Sequence, residues 1–141
     1  MTDEVLDGGC LCGAVRYRAR GAARWVAHCH CRSCRRNSGA AVLTFAGFAS
    51  DRFSYLKGEP QRFQSSPGVW RSFCARCGTP LTYEADRYGP EVHVTIGTFD
   101  HPESLQPTVH VWTAERIPWL HIDDELPRYR ATPRGGADPE R

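Results

Sequence analysis

Long apolar runs are missing from this sequence. No stretch approaches the roughly 20 apolar residues that a membrane-spanning helix needs, so we expect no transmembrane helix. The N-terminal "MTDEVLDGGC" is acidic and lacks the basic start and apolar centre of a secretory signal peptide. We therefore expect a cytoplasmic protein with no membrane partner.

The sequence also has very little lysine and a small net charge. Lys57 is the only lysine beside seventeen arginines, and the acidic residues bring the net charge down to +2. A dedicated nucleic-acid-binding domain carries a larger and more clustered basic excess. The charge balance therefore argues against nucleic acid as the partner of this chain.

Helix-period patterns are rare, whereas short strand patterns separated by turn residues recur along the chain. In "AVRYRARG", Val15 and Tyr17 alternate with Arg16 and Arg18, as in a half-buried strand. "VWRSFC" and "PLTYEA" are typical of the two arms of a hairpin. "CRSCRRNSG" is too short for more than one turn of helix, which Gly39 would end. The sequence predicts a mainly β class, with a single β domain and short helical turns.

The 141 residues are enough for one domain with its own core, which we place at residues 8–130. Residues 1–7 form a short acidic lead. Residues 131–141 are rich in proline, glycine and charge, and we expect this tail to be disordered.

Seven cysteines fall into three clusters, "CLC", "CHCRSC" and "CARCG". The number is odd and a cytoplasmic location is reducing, so disulfides are a poor explanation. A Cys-x-x-Cys-Gly turn brings Cys74 and Cys77 to one metal ion. Cys10 and Cys12 lie on the same face of an extended chain and can chelate together. These two pairs could form one four-cysteine zinc site.

Spacing alone does not decide this pairing, because Cys10 and Cys12 could equally join Cys31 and Cys34. That choice would leave Cys29 without a role. The compactness of the second cluster favours treating its three cysteines as one unit. Three protein ligands with an open position are the pattern of a catalytic zinc, whereas closed four-ligand sites are structural.

A histidine could also close the three-cysteine site. His28 and His30 are adjacent to it, but on an extended chain they point away from the face that carries Cys29 and Cys31. The remaining candidates for a fourth ligand are His93, His101, His110 and His121.

Three arginines surround the second cluster. Arg32, Arg35 and Arg36 would either offset the negative charge of a zinc–thiolate centre or bind the carboxylates of an anionic thiol substrate.

The sequence resembles the glutathione-dependent formaldehyde-activating enzyme family, whose domain is also found in centromere protein V. The motifs that carry the resemblance span residues 8–130. They are "GGCLCGAVRY", "HCHCRSCRRNSGAA", "FCARCGTPL", "VTIGTFDHPESLQP" and "HVWTAERIPWLHIDDELPRY".

The resemblance implies a tent-like β fold with two zinc ions per chain. It matches one set of cysteines to a structural zinc, namely Cys10, Cys12, Cys74 and Cys77. It matches the other set to a catalytic zinc, namely Cys29, Cys31 and Cys34.

The family's reaction joins glutathione to formaldehyde, and it is classed as a carbon–sulfur lyase. The resemblance thus implies a small-molecule thiol and a small aldehyde as substrates. The alternative is a non-catalytic zinc module that binds a protein or nucleic acid partner.

Overall fold

The computed structural model describes residues 4–134, and strands dominate this part of the chain. The strands are β1 (Val5–Gly9), β2 (Arg16–Arg20), β3 (Trp25–Cys29), β4 (Leu43–Ala49), β5 (Phe53–Lys57), β6 (Gln61–Ser66), β7 (Val69–Phe73), β8 (Pro80–Ala85), β9 (Glu91–Thr95) and β10 (Val109–Val111). The helix α1 spans Arg32–Ser38, and short 3-10 turns connect several strands. The predicted mainly β class is confirmed. Within residues 4–134 no helix has the length and apolarity needed to cross a membrane.

The strands form two sheets. The smaller sheet has the order β1-β2-β5, and the larger has the order β10-β3-β4-β9-β8-β7-β6. Neighbouring strands are antiparallel except for β10, which pairs in parallel with β3. The predicted hairpin is present as β7 and β8.

The central strands of the larger sheet are buried on both faces, whereas the edge strand β6 is exposed. On one face, Phe48 and Val94 pack with Tyr17 of the smaller sheet in the main core. On the other face, Phe45 and Tyr83 pack around two of the cysteines of the second cluster. Because side chains alternate along a strand, each central strand contributes to both clusters.

Strand β1 begins inside the segment that the sequence places before the domain. Val5 pairs with Arg20, and Asp7 accepts hydrogen bonds from Arg18 across the same ladder. At the other end, residues 131–134 contact the domain, since the Trp112 N–H donates to the Ala131 carbonyl. The rest of the predicted tail, residues 135–141, lies outside the described residues.

Helix α1 is longer than the single turn that the sequence predicts. The Cys31 sulfur accepts the Cys34 N–H at the N-terminus, and Gly39 ends the helix with φ 76°. The Gly39 N–H donates to the Arg35 carbonyl, at an N···O distance of 2.7 Å. Both ends are therefore capped, and caps at both ends stabilise a helix of only seven residues.

Candidate metal centre and adjoining cavity

The first and third cysteine clusters meet where the two sheets adjoin. Cys10 and Cys12 lie in the turn after β1, while Cys74 and Cys77 lie between β7 and β8. The sulfurs are 3.6 Å apart between Cys10 and Cys12 and 3.8 Å apart between Cys12 and Cys74. Tetrahedral zinc with Zn–S bonds near 2.3 Å separates its sulfurs by about 3.8 Å. This four-cysteine cluster can therefore hold a metal ion.

Hydrogen bonds to sulfur support the thiolate form in this cluster. The Val15 N–H donates to Cys10 Sγ, and the Cys77 N–H donates to Cys74 Sγ. Thr79 Oγ1 lies 3.1 Å from Cys77 Sγ, and this hydrogen bond lowers the pKa of Cys77 to about 5. A thiol that ionises readily is a better metal ligand.

The second cluster forms where β3 leads into α1. Cys29 ends the strand, Cys31 caps the helix, and Cys34 follows in the first turn. The sulfurs of Cys29 and Cys34 are 3.8 Å apart, and all three sulfurs lie within 4.8 Å of one another. This spacing also fits thiolates around one zinc ion.

The three thiols cannot all ionise easily without a cation. Hydrogen bonds with Cys29 and Cys34 lower the pKa of Cys31, whereas hydrogen bonds with Cys31 and Cys34 raise the pKa of Cys29. One thiolate thus makes its neighbours harder to ionise. A bound divalent cation removes this penalty, so the cluster is suited to a metal ion.

No histidine or carboxylate among residues 4–134 joins the three sulfurs at ligand distance. Of the four candidates for a fourth ligand, His93 is hydrogen-bonded to Glu91, and His110 belongs to a separate cluster with Asp124. The other two are exposed, namely His101 and His121. The described part of the chain therefore offers three ligands at this centre.

His28 and His30 point away from the cysteines, as the alternation of the strand predicts. The Nδ1 atom of His28 lies 2.7 Å from Thr44 Oγ1. The Nε2 atom of His30 lies 2.9 Å from His110 Nδ1. Both histidines are thus engaged on the opposite face of β3.

The three-cysteine cluster lies in the wall of a cavity of about 600 Å³. This volume is in the range of small-molecule sites. The wall combines aromatic side chains with positively charged ones. The arginines that line it are Arg24, Arg71, Arg87 and Arg134.

Arg71 is the buried cation of this cavity, with only 5% of its surface exposed. Its two terminal nitrogens lie 3.7 and 3.9 Å from Cys34 Sγ, and its Nε donates to Ser65 Oγ. Three thiolates and one Zn²⁺ ion sum to a net charge of −1. The Arg71 guanidinium therefore offsets this excess negative charge directly at a sulfur.

A buried pair of polar side chains, Glu91 and His93, lines the same cavity. Burial raises the pKa of Glu91, but hydrogen bonds from His93 and Trp25 outweigh it and bring the pKa to about 2. The ionised carboxylate accepts the Nε2 proton of His93, at an N···O distance of 3.1 Å. The Nδ1 atom of this tautomer then carries the lone pair. This nitrogen is able to accept a proton.

Arg32, Arg35 and Arg36 do not line the cavity. The Arg32 N–H donates to a Glu115 carboxylate oxygen, and the Arg35 side chain donates to the Glu115 carbonyl. Arg32 and Arg36 are exposed on α1. Their substrate-binding role stays a prediction, without support from the position of the cavity.

The sequence gives no strong signal for Arg71 or Glu91 as site residues, because each lies in a strand far along the chain from the three-cysteine cluster. The alternation in "EVHVT" does offer a hint. If Val92 and Val94 face the main core, Glu91 and His93 must face the opposite side of the sheet. Burying an unpaired carboxylate is costly, so a glutamate in a strand that is buried on both faces is expected to have a polar partner.

The family model for glutathione-dependent formaldehyde-activating enzymes matches residues 5–115. The chain belongs to this family. The resemblance inferred from the cysteine motifs is therefore confirmed.

Individual relatives agree with this assignment. A Halomonas elongata protein, provisionally named as a glutathione-dependent formaldehyde-activating enzyme, is 27% identical over 129 residues. The match covers 84% of this chain and 82% of that protein. A crystal structure of a Rhodobacter sphaeroides protein superposes with a TM-score of 0.57 at 22% identity, covering 67% of this chain and 87% of that one. The second comparison supports the fold alone.

Proposed function

We propose that this chain is a zinc-dependent carbon–sulfur lyase that joins a thiol, glutathione or a similar compound, to a small aldehyde such as formaldehyde. One observation carries the proposal: three cysteine sulfurs at zinc-ligand spacing line a cavity large enough for a small molecule. The four-cysteine cluster does not line this cavity. It would hold the structural zinc, and the three-cysteine cluster would hold the catalytic one.

Zinc is the metal we assign to both clusters, because thiolate ligands select zinc among the abundant divalent ions. At the three-cysteine cluster a bound zinc ion would supply a coordination position for the substrate sulfur or the aldehyde oxygen. The Cys29, Cys31 and Cys34 side chains hold the ion at the cavity wall. Arg71 keeps the electron-rich sulfurs from accumulating uncompensated charge.

The charge of the cavity favours an anionic thiol. Arg24 and Arg87 line the wall, and the Arg87 side chain donates to Tyr83 Oη at 2.7 Å. Glutathione carries two carboxylates, which pair well with guanidinium groups. Four arginines line the wall against two carboxylates, the exposed Glu115 and the buried Glu91, which accepts a hydrogen bond from Arg134. This positive excess suits an anionic thiol better than a neutral or cationic one.

His93 is placed to handle the proton of the reaction. Adding a thiol to formaldehyde forms one carbon–sulfur bond, and the thiol proton ends on the new hydroxyl oxygen. In our proposal, His93 Nδ1 accepts the thiol proton and returns it to the oxygen. Glu91 holds the ring in the tautomer that leaves Nδ1 free.

The direct test is the rate at which glutathione and formaldehyde equilibrate with their adduct, measured by exchange NMR spectroscopy. This reaction proceeds slowly in water, so we expect the zinc-loaded protein to accelerate it above the protein-free rate at equal thiol concentration. Holding the two reactants aligned in the cavity is the source of the acceleration. A rate equal to that without protein would reject this substrate pair and favour the non-catalytic zinc module.

Replacing His93 tests the proton transfer separately. We expect His93→Gln to lower the exchange rate by about 10²-fold, the lower end of general acid–base contributions, with full zinc content. Burial lowers the pKa of His93 below its ordinary 6.5, so the wild-type rate should begin to fall only as the pH drops through that lower value. His101→Gln, at a fully separate exposed site, is the matched control. A His93→Gln rate equal to that of the control would exclude His93 as the proton acceptor.

A further inference from the structure

A third group of possible ligands lies on the face of β3 opposite the cysteines. His28 and His110 are register partners in the parallel pair of β3 and β10, with ring centroids 4.9 Å apart. Asp124, from the segment after the last strand, approaches the same point. One nitrogen or oxygen of each side chain lies within 4.8 Å of the other two.

We propose that His28, His110 and Asp124 form a third metal site, for a divalent transition-metal cation of the zinc class. Two imidazoles and one carboxylate are a common ligand set for such ions, and they differ in chemistry from the two thiolate clusters. The site would be independent of the proposed reaction, because it lies across β3 from the cavity.

The Nδ1 atom of each of these two histidines is already in a hydrogen bond. His28 Nδ1 lies 2.7 Å from Thr44 Oγ1, and His110 Nδ1 lies 2.9 Å from His30 Nε2. A metal-binding histidine typically has its second ring nitrogen fixed in this way by a hydrogen bond. In our proposal the other ring nitrogen of His28, Nε2, is therefore the ligand atom.

Hydrogen bonds also fix the orientation of the Asp124 carboxylate. Asp124 Oδ1 accepts hydrogen bonds from the Leu126 N–H and from Arg128, at 3.1 and 3.2 Å. The other oxygen, Oδ2, lies 2.9 Å from His110 Nε2. Two ligands bound tetrahedrally to one zinc ion at about 2.1 Å are separated by about 3.4 Å, so Asp124 and His110 would have to move apart by about 0.5 Å to share an ion.

The distance between Asp124 and His110 therefore fits a shared proton as it stands and a shared metal ion after this small shift. Without the metal, the proton on His110 Nε2 bonds to the carboxylate. The metal ion would replace this proton, and Nδ1 of the neutral His110 ring would then carry the hydrogen and donate it to His30 Nε2.

The site would add a link between parts of the chain that backbone hydrogen bonds already join, since the His110 N–H donates to the Pro127 carbonyl and the Tyr129 N–H donates to the His110 carbonyl. Strand β10 has only three residues and lies at the edge of the larger sheet. His110 is fully buried at its centre, and Asp124 belongs to a segment without regular strands. A shared ion would cross-link this segment to the sheet edge.

Metal stoichiometry and cobalt spectroscopy test the proposal. We expect the fully loaded wild type to hold three zinc ions per chain, and His28→Ala to hold two. When Co²⁺ is added to protein whose cysteine clusters already hold zinc, it should give visible absorption bands without thiolate-to-cobalt charge transfer. Thr44→Val should weaken Co²⁺ binding at this site about tenfold, because it removes only the hydrogen bond between Thr44 Oγ1 and His28 Nδ1.

His121→Ala is the matched control, since His121 is exposed and lies outside the cluster. It should retain the third ion. Wild-type protein that binds only two ions at excess zinc would overturn the proposal, as would a third ion that remains in His28→Ala. Because the readout is metal content and spectrum, neither result depends on whether the protein accelerates thiol–aldehyde exchange.

Discussion

Cys74→Ser should unfold the protein at a much lower denaturant concentration than the wild type needs. Cys74 is 1% exposed and packs in the main core, and its sulfur lies 3.8 Å from that of Cys12. Structural zinc in small sites contributes on the order of 10 kcal/mol of apparent binding free energy, which here would couple directly to folding. Losing one ligand should remove a large part of it.

The measurement is equilibrium unfolding in urea, monitored with zinc content on the same samples. Cys10→Ser should behave like Cys74→Ser, because the two residues would share one ion although 64 positions separate them in the chain. A chelator added to the wild type should lower its unfolding midpoint in the same direction. Unchanged midpoints in both variants would contradict a structural metal at this cluster.

Local pattern predicted much of the secondary structure. The alternation around Tyr17 gave the correct buried face, since Tyr17 is fully buried while Arg16 and Arg18 are only partly covered. Gly39 was correctly predicted to end the helix. These predictions succeed because they depend on side-chain direction and backbone conformation within a few residues.

The pairing of the cysteines could not be predicted in this way. Spacing allowed Cys10 and Cys12 to join either Cys74 and Cys77 or the second cluster. The choice depends on how the turn after β1 meets the turn between β7 and β8, and this contact joins two different sheets. The compactness of the second cluster favoured the pairing that the structure brings together, and the resemblance to the family implied it directly.

The arginines illustrate the same limit. Proximity in sequence pointed to Arg32, Arg35 and Arg36, but neighbours on a helix point in different directions and need not face the ligands of its first turn. Arg71 is 37 residues from Cys34 in the chain and still contacts its sulfur, because both side chains line the same cavity although three strands separate β3 from β7. A long-range contact of this kind leaves no local pattern.

Cys31→Ser should abolish the proposed reaction while leaving the fold intact. Cys31 caps α1 through its sulfur, which accepts the Cys34 N–H at 3.2 Å. Serine is among the best helix N-caps, so the variant keeps the cap and loses only the thiolate. We expect zinc content to fall by one ion per chain and thiol–aldehyde exchange to fall to the protein-free rate.

The unfolding midpoint separates this variant from those at the four-cysteine cluster. It should stay near the wild-type value, in contrast to the large loss expected for Cys74→Ser. Ser33→Ala, an exposed position in the same helical turn that also lines the cavity, should retain both the ion and the exchange rate. If Cys31→Ser lost the ion but kept the wild-type exchange rate, the reaction would not take place at this centre. If it kept the ion, Cys31 would not be one of its ligands.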